Sequence, residues 1–216
     1  MGLGGGPSEW DDYEWIRLAD LPVTPPVTPP GTRGQPGRRP LADAVHARLA
    51  RGSLWTTGAG ARVLLVDLDN LRAEPARWRD RMALVVALAR QAEVVALAGQ
   101  DGPVRRARPH LAEFAARARA VADGSDLADH VLLDAAAGVT GAAQFVVVSN
   151  DWIFAGLADR GPLTVLSPGR DALSDRLRDA ATRVVDLATL ESGVGRAPRR
   201  AAFRASRRRR TPSAVR

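Results

Sequence analysis

Residues 61–190 read as an α/β domain: a mostly parallel sheet with helices on both faces. Three observations predict it. Short apolar runs alternate with amphipathic segments along this stretch, the rhythm of strand–helix–strand units. The runs are almost continuously apolar, as strands buried on both faces are. Two of them, VLLVDLDNL from Val63 to Leu71 and FVVVSND from Phe145 to Asp151, finish in acids and amides. In open α/β sheets the carboxyl ends of strands are where ligands sit.

Taken in order, residues 1–40 are rich in Gly and Pro and contain VTPPVTPP, a polyproline-type spacer. They are expected to be disordered. Within them SEWDDYEWI, Ser8 to Ile16, is acidic and aromatic. It reads either as a solvated tail or as a short segment that docks on a protein partner or folds back on the basic C-terminus. Residues 41–60 read as a helix and linker, with one amphipathic helix from Leu41 to Leu54 and Gly52 near its end.

Val63–Val66 is the first strand. Pro75 to about Gln91 is a helix, because proline suits a first turn. Val94–Leu97 is a strand. Arg108 to Arg119 is expected to be helical with Pro109 in its first turn, and a short strand includes Val121. Asp126–Ala136 is a helix, Phe145–Val148 a strand, Trp152–Asp159 a helix, Leu163–Leu166 a strand and Asp171–Thr182 a helix. Val184–Leu187 adds a short edge strand. Residues 191–216 form an Arg-rich tail, expected to be disordered.

Composition narrows the chemistry. With 216 residues, 45% of them hydrophobic, the chain can bury one ordinary core. It has no cysteine, which excludes disulfides, thiolate zinc sites and Cys nucleophiles. All 31 basic residues are arginine, so no step can use a lysine ammonium. No segment approaches the ~20 apolar residues that span a bilayer, and the acidic, Gly-rich N-terminus is unlike a secretory signal. The expected location is the cytoplasm, with no membrane contact. The net charge of +7 is concentrated at one end: residues 191–216 carry nine arginines and one acid. Arg207, Arg208, Arg209 and Arg210 are consecutive and suit a non-specific RNA-binding arm, or else a solvated terminus.

The first strand ends in Asp67, Asp69 and Asn70, the later one in Ser149, Asn150 and Asp151. If the two strands are neighbours, their acids converge. Carboxylates brought together lose hydration and repel one another unless a cation neutralises them. A third acid comes from ADGSDLADHVLLDAA. At about 100° per residue, Leu127, Ala128, Val131, Leu132 and Ala135 form the buried face of a helix. Asp126, His130 and Asp134 share the opposite stripe, and Asp129 lies at the border beside Leu133 and Ala136. Asp126 is then the helix N-cap and Asp129 the acid aimed at the sheet edge, with the reverse assignment left open. Asp67, Asp129 and Asp151 form the expected metal-binding and catalytic triad, supported by Asp69, Asn70, Asp126, Ser149 and Asn150. Oxygen-only ligands favour Mg2+ or Mn2+ over zinc. Each acid also has a structural reading: Asp67 or Asp69 could cap the following turn, and Asp151 the helix after it. Trp152 suits either base stacking at the site mouth or core packing. His46, His110 and His130 are dispersed and suggest no metal site.

The order VLLVDLDNL, DLADHVLL, VVVSNDWIFAGLA, GPLTVL resembles the NYN family of PIN-like ribonucleases over roughly residues 61–188. The resemblance implies a small PIN-like, Rossmann-like fold and metal-dependent RNA cleavage. The family's first strand ends Asp-x-Asp-Asn, matched by Asp67, Asp69 and Asn70. Its helical acid is matched best by Asp129. Its Ser-x-Asp-x-Asp-Phe motif is matched by Ser149, Asp151 and Phe154, while Ile153 replaces the second Asp. One expected carboxylate is therefore missing, and Asp69 is the candidate to compensate. The same residues resemble HAD-type phosphatases, with Asp67 as nucleophile, Asp69 as general acid, Ser149 on the phosphate, and Asp171 and Asp175 as late magnesium ligands. Leu71 and the absence of lysine depart from that pattern. The expected function is hydrolysis of RNA phosphodiesters. The alternatives are a catalytically degenerate module that binds RNA or protein, and a phosphatase.

Overall fold

The computed structural model describes residues 60–124, 126–169 and 172–192, together with Val45 and Trp55. The tail and Arg-arm expectations, the acidic-aromatic segment, Asp171 and nearly all of the helix expected at Leu41–Leu54 lie outside the described residues. Val45 is helical there, and both it and Trp55 are buried in the core.

Six strands form one sheet: β1 (Ala61–Asp67), β2 (Val94–Gln100), β3 (Ala118–Val121), β4 (Ala143–Val148), β5 (Leu163–Ser167) and β6 (Arg183–Asp186). Their spatial order is β3-β2-β1-β4-β5-β6, and every pairing is parallel. The order reverses between β1 and β4, whose register pairs Leu65 with Val147 and Val66 with Val148. Such a switch point opens a crevice beyond the carboxyl ends of the two strands.

Helices α1 (Pro75–Ala89), α2 (Asp101–Ala107), α3 (Leu127–Ala137) and α4 (Asp175–Ala180) connect the strands, joined by 3-10 segments that include Trp152–Arg160. Period-two alternation divides the core. Leu64 and Val66 of β1 and Val146 and Val148 of β4 pack with Trp78, Met82 and Val85 of α1 on one face. Val63, Leu65, Phe145 and Val147 pack on the other face with Leu132 and Ala136 of α3 and Leu177 of α4. No helix among the described residues is long and apolar enough to cross a membrane.

Several boundaries differ from the sequence expectation. The helix expected at Arg108–Arg119 is instead α2, beginning at Asp101, followed by 3-10 turns over Arg108–His110 and Ala112–Arg117 and by β3. Gly102 and Pro103 read as a loop signal, yet a first turn tolerates both because its N–H groups need no helical partner. The segment Trp152–Arg160 is 3-10 rather than α-helical. Gly161 ends it at φ +156°, where a Cβ would lie 2.0 Å from the Ala143 carbonyl oxygen, so no larger residue fits. The helix expected over Asp171–Thr182 is confined to Asp175–Ala180, with Ser174 accepting a capping bond from the Leu177 amide at 3.1 Å. Leu187 is not part of the edge strand. It is buried and begins a helical turn over residues 187–192.

Candidate metal centre

Strand parity decides where the acids go. Asp67 continues the Val63–Leu65 side of β1, which is the α3 face. Ser149 continues the Phe145–Val147 side of β4, the same face. The two side chains meet at the switch point: Ser149 Oγ donates to Asp67 Oδ2 at 3.1 Å. Asp67 Oδ1 accepts from the amides of Asp69 (2.9 Å) and Asn70 (3.3 Å), and its Oδ2 also accepts from Asn70 Nδ2. Burial drives the Asp67 pKa up, against these four donors, and the net direction is upward.

Asp129 supplies the opposing wall. Along α3 the buried positions are Ala128, Asp129, Leu132 and Ala136. The acid therefore lies within the buried stripe rather than at its border, and it is only 7% exposed. Its Oδ1 is fully enclosed and has no hydrogen-bond partner. Burial, then the charges of Asp67, Asp151, Asp126 and Asp69, raise its pKa to about 7. Buried carboxylate oxygens normally have a donor. This one has none, in a carboxylate surrounded by the charges of other acids.

Asp126 precedes α3, but its side chain makes no capping bond. Its carbonyl accepts the first helical bond, from the His130 amide at 3.0 Å. The expected capping role is thus not observed. The backbone is left-handed at φ 67°, a conformation that Asp tolerates better than most residues. The carboxylate is free to join the acids: single oxygens of Asp126, Asp129 and Asp151 all lie within 4.8 Å of one another. That spacing, three hard oxygen ligands and the unpartnered Asp129 oxygen fit a metal cation. The set therefore differs by one member from the expected triad. Asp67 stands beside it, held by donors, and is the first charge to act on Asp129.

The supporting residues divide by role. Asn70 and Ser149 fix Asp67, and Asn70 Nδ2 also reaches Ser149 Oγ at 3.3 Å. Ser149 Oγ accepts from the Asp151 amide at 3.1 Å, and Asp151 Oδ1 accepts from the Ile153 amide at 3.4 Å. Asp151 thus caps the turn after it, as its structural reading holds, and still contributes an oxygen to the cluster. Asp69 directs both oxygens to the Gln100 amide, at 3.1 and 3.0 Å. That clamp on the end of β2 is eased by Gly99, where a Cβ would crowd Leu68 Cβ at 3.0 Å and Asp69 Oδ1 at 3.3 Å. Asp69 accordingly does not take the place of the acid missing at Ile153. Ile153 is part-buried and packs against the α3-side core. Asn150 is also structural: its Oδ1 accepts from Ser167 Oγ at 2.6 Å, and its Nδ2 donates to the Gly169 carbonyl at 3.4 Å. Asp175 lies on α4 in an ion pair with Arg178.

The expectation treats Asp126 and Asp129 as alternatives for the helical acid, whereas the structure brings both together with Asp151 and leaves Asp67 beside the set. The missed signal was conformational. Asp126 adopts positive φ, and a side chain in that conformation does not make the usual N-cap bond.

Comparison with protein-family models, curated proteins and solved structures finds no match to this chain. The class that fold and site define is a six-stranded, all-parallel α/β domain with a carboxylate cluster suited to a metal ion at its switch point.

Proposed function

We propose that this protein is a metal-dependent ribonuclease that hydrolyses RNA phosphodiester bonds at the carboxyl edge of its sheet, with a PIN-like domain of the NYN type. The observation that carries the reading is Asp129, whose buried Oδ1 has no hydrogen-bond partner and whose carboxylate lies with those of Asp126 and Asp151 in one cluster. Acids in this crevice would repel a bare phosphate, and β1 runs into DLDNLRAEP rather than a glycine-rich phosphate loop. A substrate phosphate therefore requires a cation between it and the protein.

Asp126, Asp129 and Asp151 would hold Mg2+ or Mn2+, hard cations suited to oxygen ligands. Bound there, the ion supplies charge neutralisation at the scissile phosphate and acidifies a water. Asp67, oriented by Asn70 and Ser149, would add negative charge beside the three ligands and strengthen their hold on a cation. Ser149 couples the two strand ends, so Asp67 and Asp151 keep a fixed separation. Asp126 makes good the carboxylate that Ile153 removes from the family motif.

A second reading is a binding module that has lost catalysis, favoured by the apolar, part-buried Ile153 packed against the core where the resemblance expects an acid. The phosphatase reading is disfavoured. Four hydrogen bonds occupy the Asp67 carboxylate, and Asp175 is paired with Arg178.

Incubation of the purified protein with labelled single-stranded RNA and manganese separates these readings. The nuclease cleaves, and the Asp67→Asn and Asp151→Asn variants, folded by circular dichroism, do not. A wild type that binds RNA in a strongly salt-dependent way, takes up no manganese and leaves the RNA intact would establish the binding module. Turnover of a small phosphate monoester with RNA left intact would restore the phosphatase.

A further inference from the structure

Trp152 is the one large aromatic exposed among the described residues, with 52% of its surface in water, whereas Trp78, Phe114, Phe145 and Phe154 are all buried. It follows Asp151 directly, so its Cα lies about 3.8 Å from that of an acid of the metal cluster. The guanidinium of Arg176, on α4, sits 4.9 Å from the centre of the indole ring. Arg178 lies beside both acids of the same helix, 3.9 Å from Asp179 and in direct ion-pair contact with Asp175. Arg176 is left with an aromatic face and, among the described residues, no ion pair.

An exposed indole next in sequence to Asp151, and a guanidinium against that indole with no ion pair among the described residues, match the repeating chemistry of a single nucleic-acid strand. Base faces stack on aromatic rings, guanidinium forks pair with phosphates, and the cation takes the scissile phosphate. A duplex keeps its base faces stacked internally and offers none to the indole. We propose that Trp152 and Arg176 form a stacking shelf that holds the nucleotide next to the scissile phosphate, the indole taking its base face and the guanidinium its phosphate. The position next to a scissile phosphate rests on the ribonuclease reading, but the shelf itself is tested by binding alone. Stacking is sequence-tolerant because every base has a π-face, so the shelf selects strandedness rather than sequence.

The test measures fluorescence anisotropy of labelled oligo-adenosine, oligo-uridine and a blunt RNA duplex, without divalent metal so that nothing is cut. The full chain is compared with Trp152→Ala, Trp152→Phe and Arg176→Gln, and manganese binding is measured separately for each. Trp152→Ala is expected to weaken both single strands by about five-fold or more, the low end of what one stacked base contributes, and to leave duplex affinity and manganese binding unchanged. Trp152→Phe retains most of the affinity. Arg176→Gln lowers the slope of log affinity against log salt by about 0.7, the loss of one single-strand phosphate contact. Single-strand affinity unchanged in Trp152→Ala overturns the shelf, as does a wild type that binds no RNA. A Trp152-dependent affinity for peptide ligands alone would assign the surface to a protein partner and overturn it too. Failure of manganese binding with Trp152-dependent RNA binding intact would sink the nuclease reading and leave the shelf standing.

Discussion

Ser149 Oγ donates to Asp67 Oδ2 at 3.1 Å and in turn accepts from the Asp151 amide at the same distance. One hydroxyl thus ties the ends of β1 and β4 together at the switch point. Its remaining acceptor site receives Asn70 Nδ2, which uses the group fully. Ser149→Ala leaves a buried carboxylate short of a donor. The expected loss is about 1–3 kcal/mol of stability, read as a lower midpoint in urea denaturation. An unchanged midpoint would mean that the bridge contributes nothing.

Asp129 carries a pH signature. Its folded-state pKa is about 7, against an ordinary value of 3.8. Between these values the folded state holds a proton that the unfolded state releases, so stability falls as pH rises through this window and levels off above it. Asp67, also raised, adds in the same direction. Asp129→Asn removes the buried charge and nearly keeps the shape. Without metal, the variant is expected to melt higher than wild type at pH 8 and equally at pH 4, by about 2–4 °C for each kcal/mol relieved. A lower melting temperature at pH 8 would contradict the assignment.

Asp126 combines a left-handed backbone with a carboxylate that caps nothing. Asp126→Gly relieves the conformation at no steric penalty and deletes one oxygen of the carboxylate cluster. The expected result is a domain at least as stable as wild type with manganese affinity reduced about ten-fold or more, since fewer charged ligands weaken such sites. Thermal melts and a manganese titration read the two effects separately. Unchanged affinity would remove Asp126 from the site.

Arg81 and Glu191 form a buried ion pair at 2.6 Å, with both side chains 5% exposed. The arginine also donates to the carbonyls of Arg72 (3.2 Å) and Pro168 (2.8 Å). The pair anchors residues 187–192 to α1, immediately before the Arg-rich tail. Removing one partner from a buried pair typically costs about 3–5 kcal/mol. Glu191→Ala is expected near the lower end, because the two carbonyls still accept from Arg81. Chemical denaturation checks it, and a change below about 0.5 kcal/mol, the range of neutral surface substitutions, would show the pair to be incidental.

The all-parallel sheet was legible because buried strands leave continuous apolar runs, and the site because two of those runs end in acids. Strand parity alone places Asp67 and Ser149 on one face. What stayed hidden depended on contacts distant in sequence or on backbone conformation. The diversion of Asp69 to the Gln100 amide is eased by the close approach that Gly99 allows, and DLDN gives no sign of it. The burial of Asp129 follows from how α3 sits on β1 and β2, which shifted the buried stripe by a fraction of a turn from the helical-wheel expectation. The start of α2 was obscured because Asp101, Gly102 and Pro103 are loop formers and first-turn residues alike.

Manganese titration of wild type and Asp129→Asn, followed by electron paramagnetic resonance between pH 6 and 8, tests the metal centre most directly. The expected result is ion uptake by wild type that weakens by about ten-fold per pH unit below 7, as protons compete for Asp129, and loss of that uptake in the variant. Equal uptake by both proteins, or none by wild type at pH 8, would contradict it.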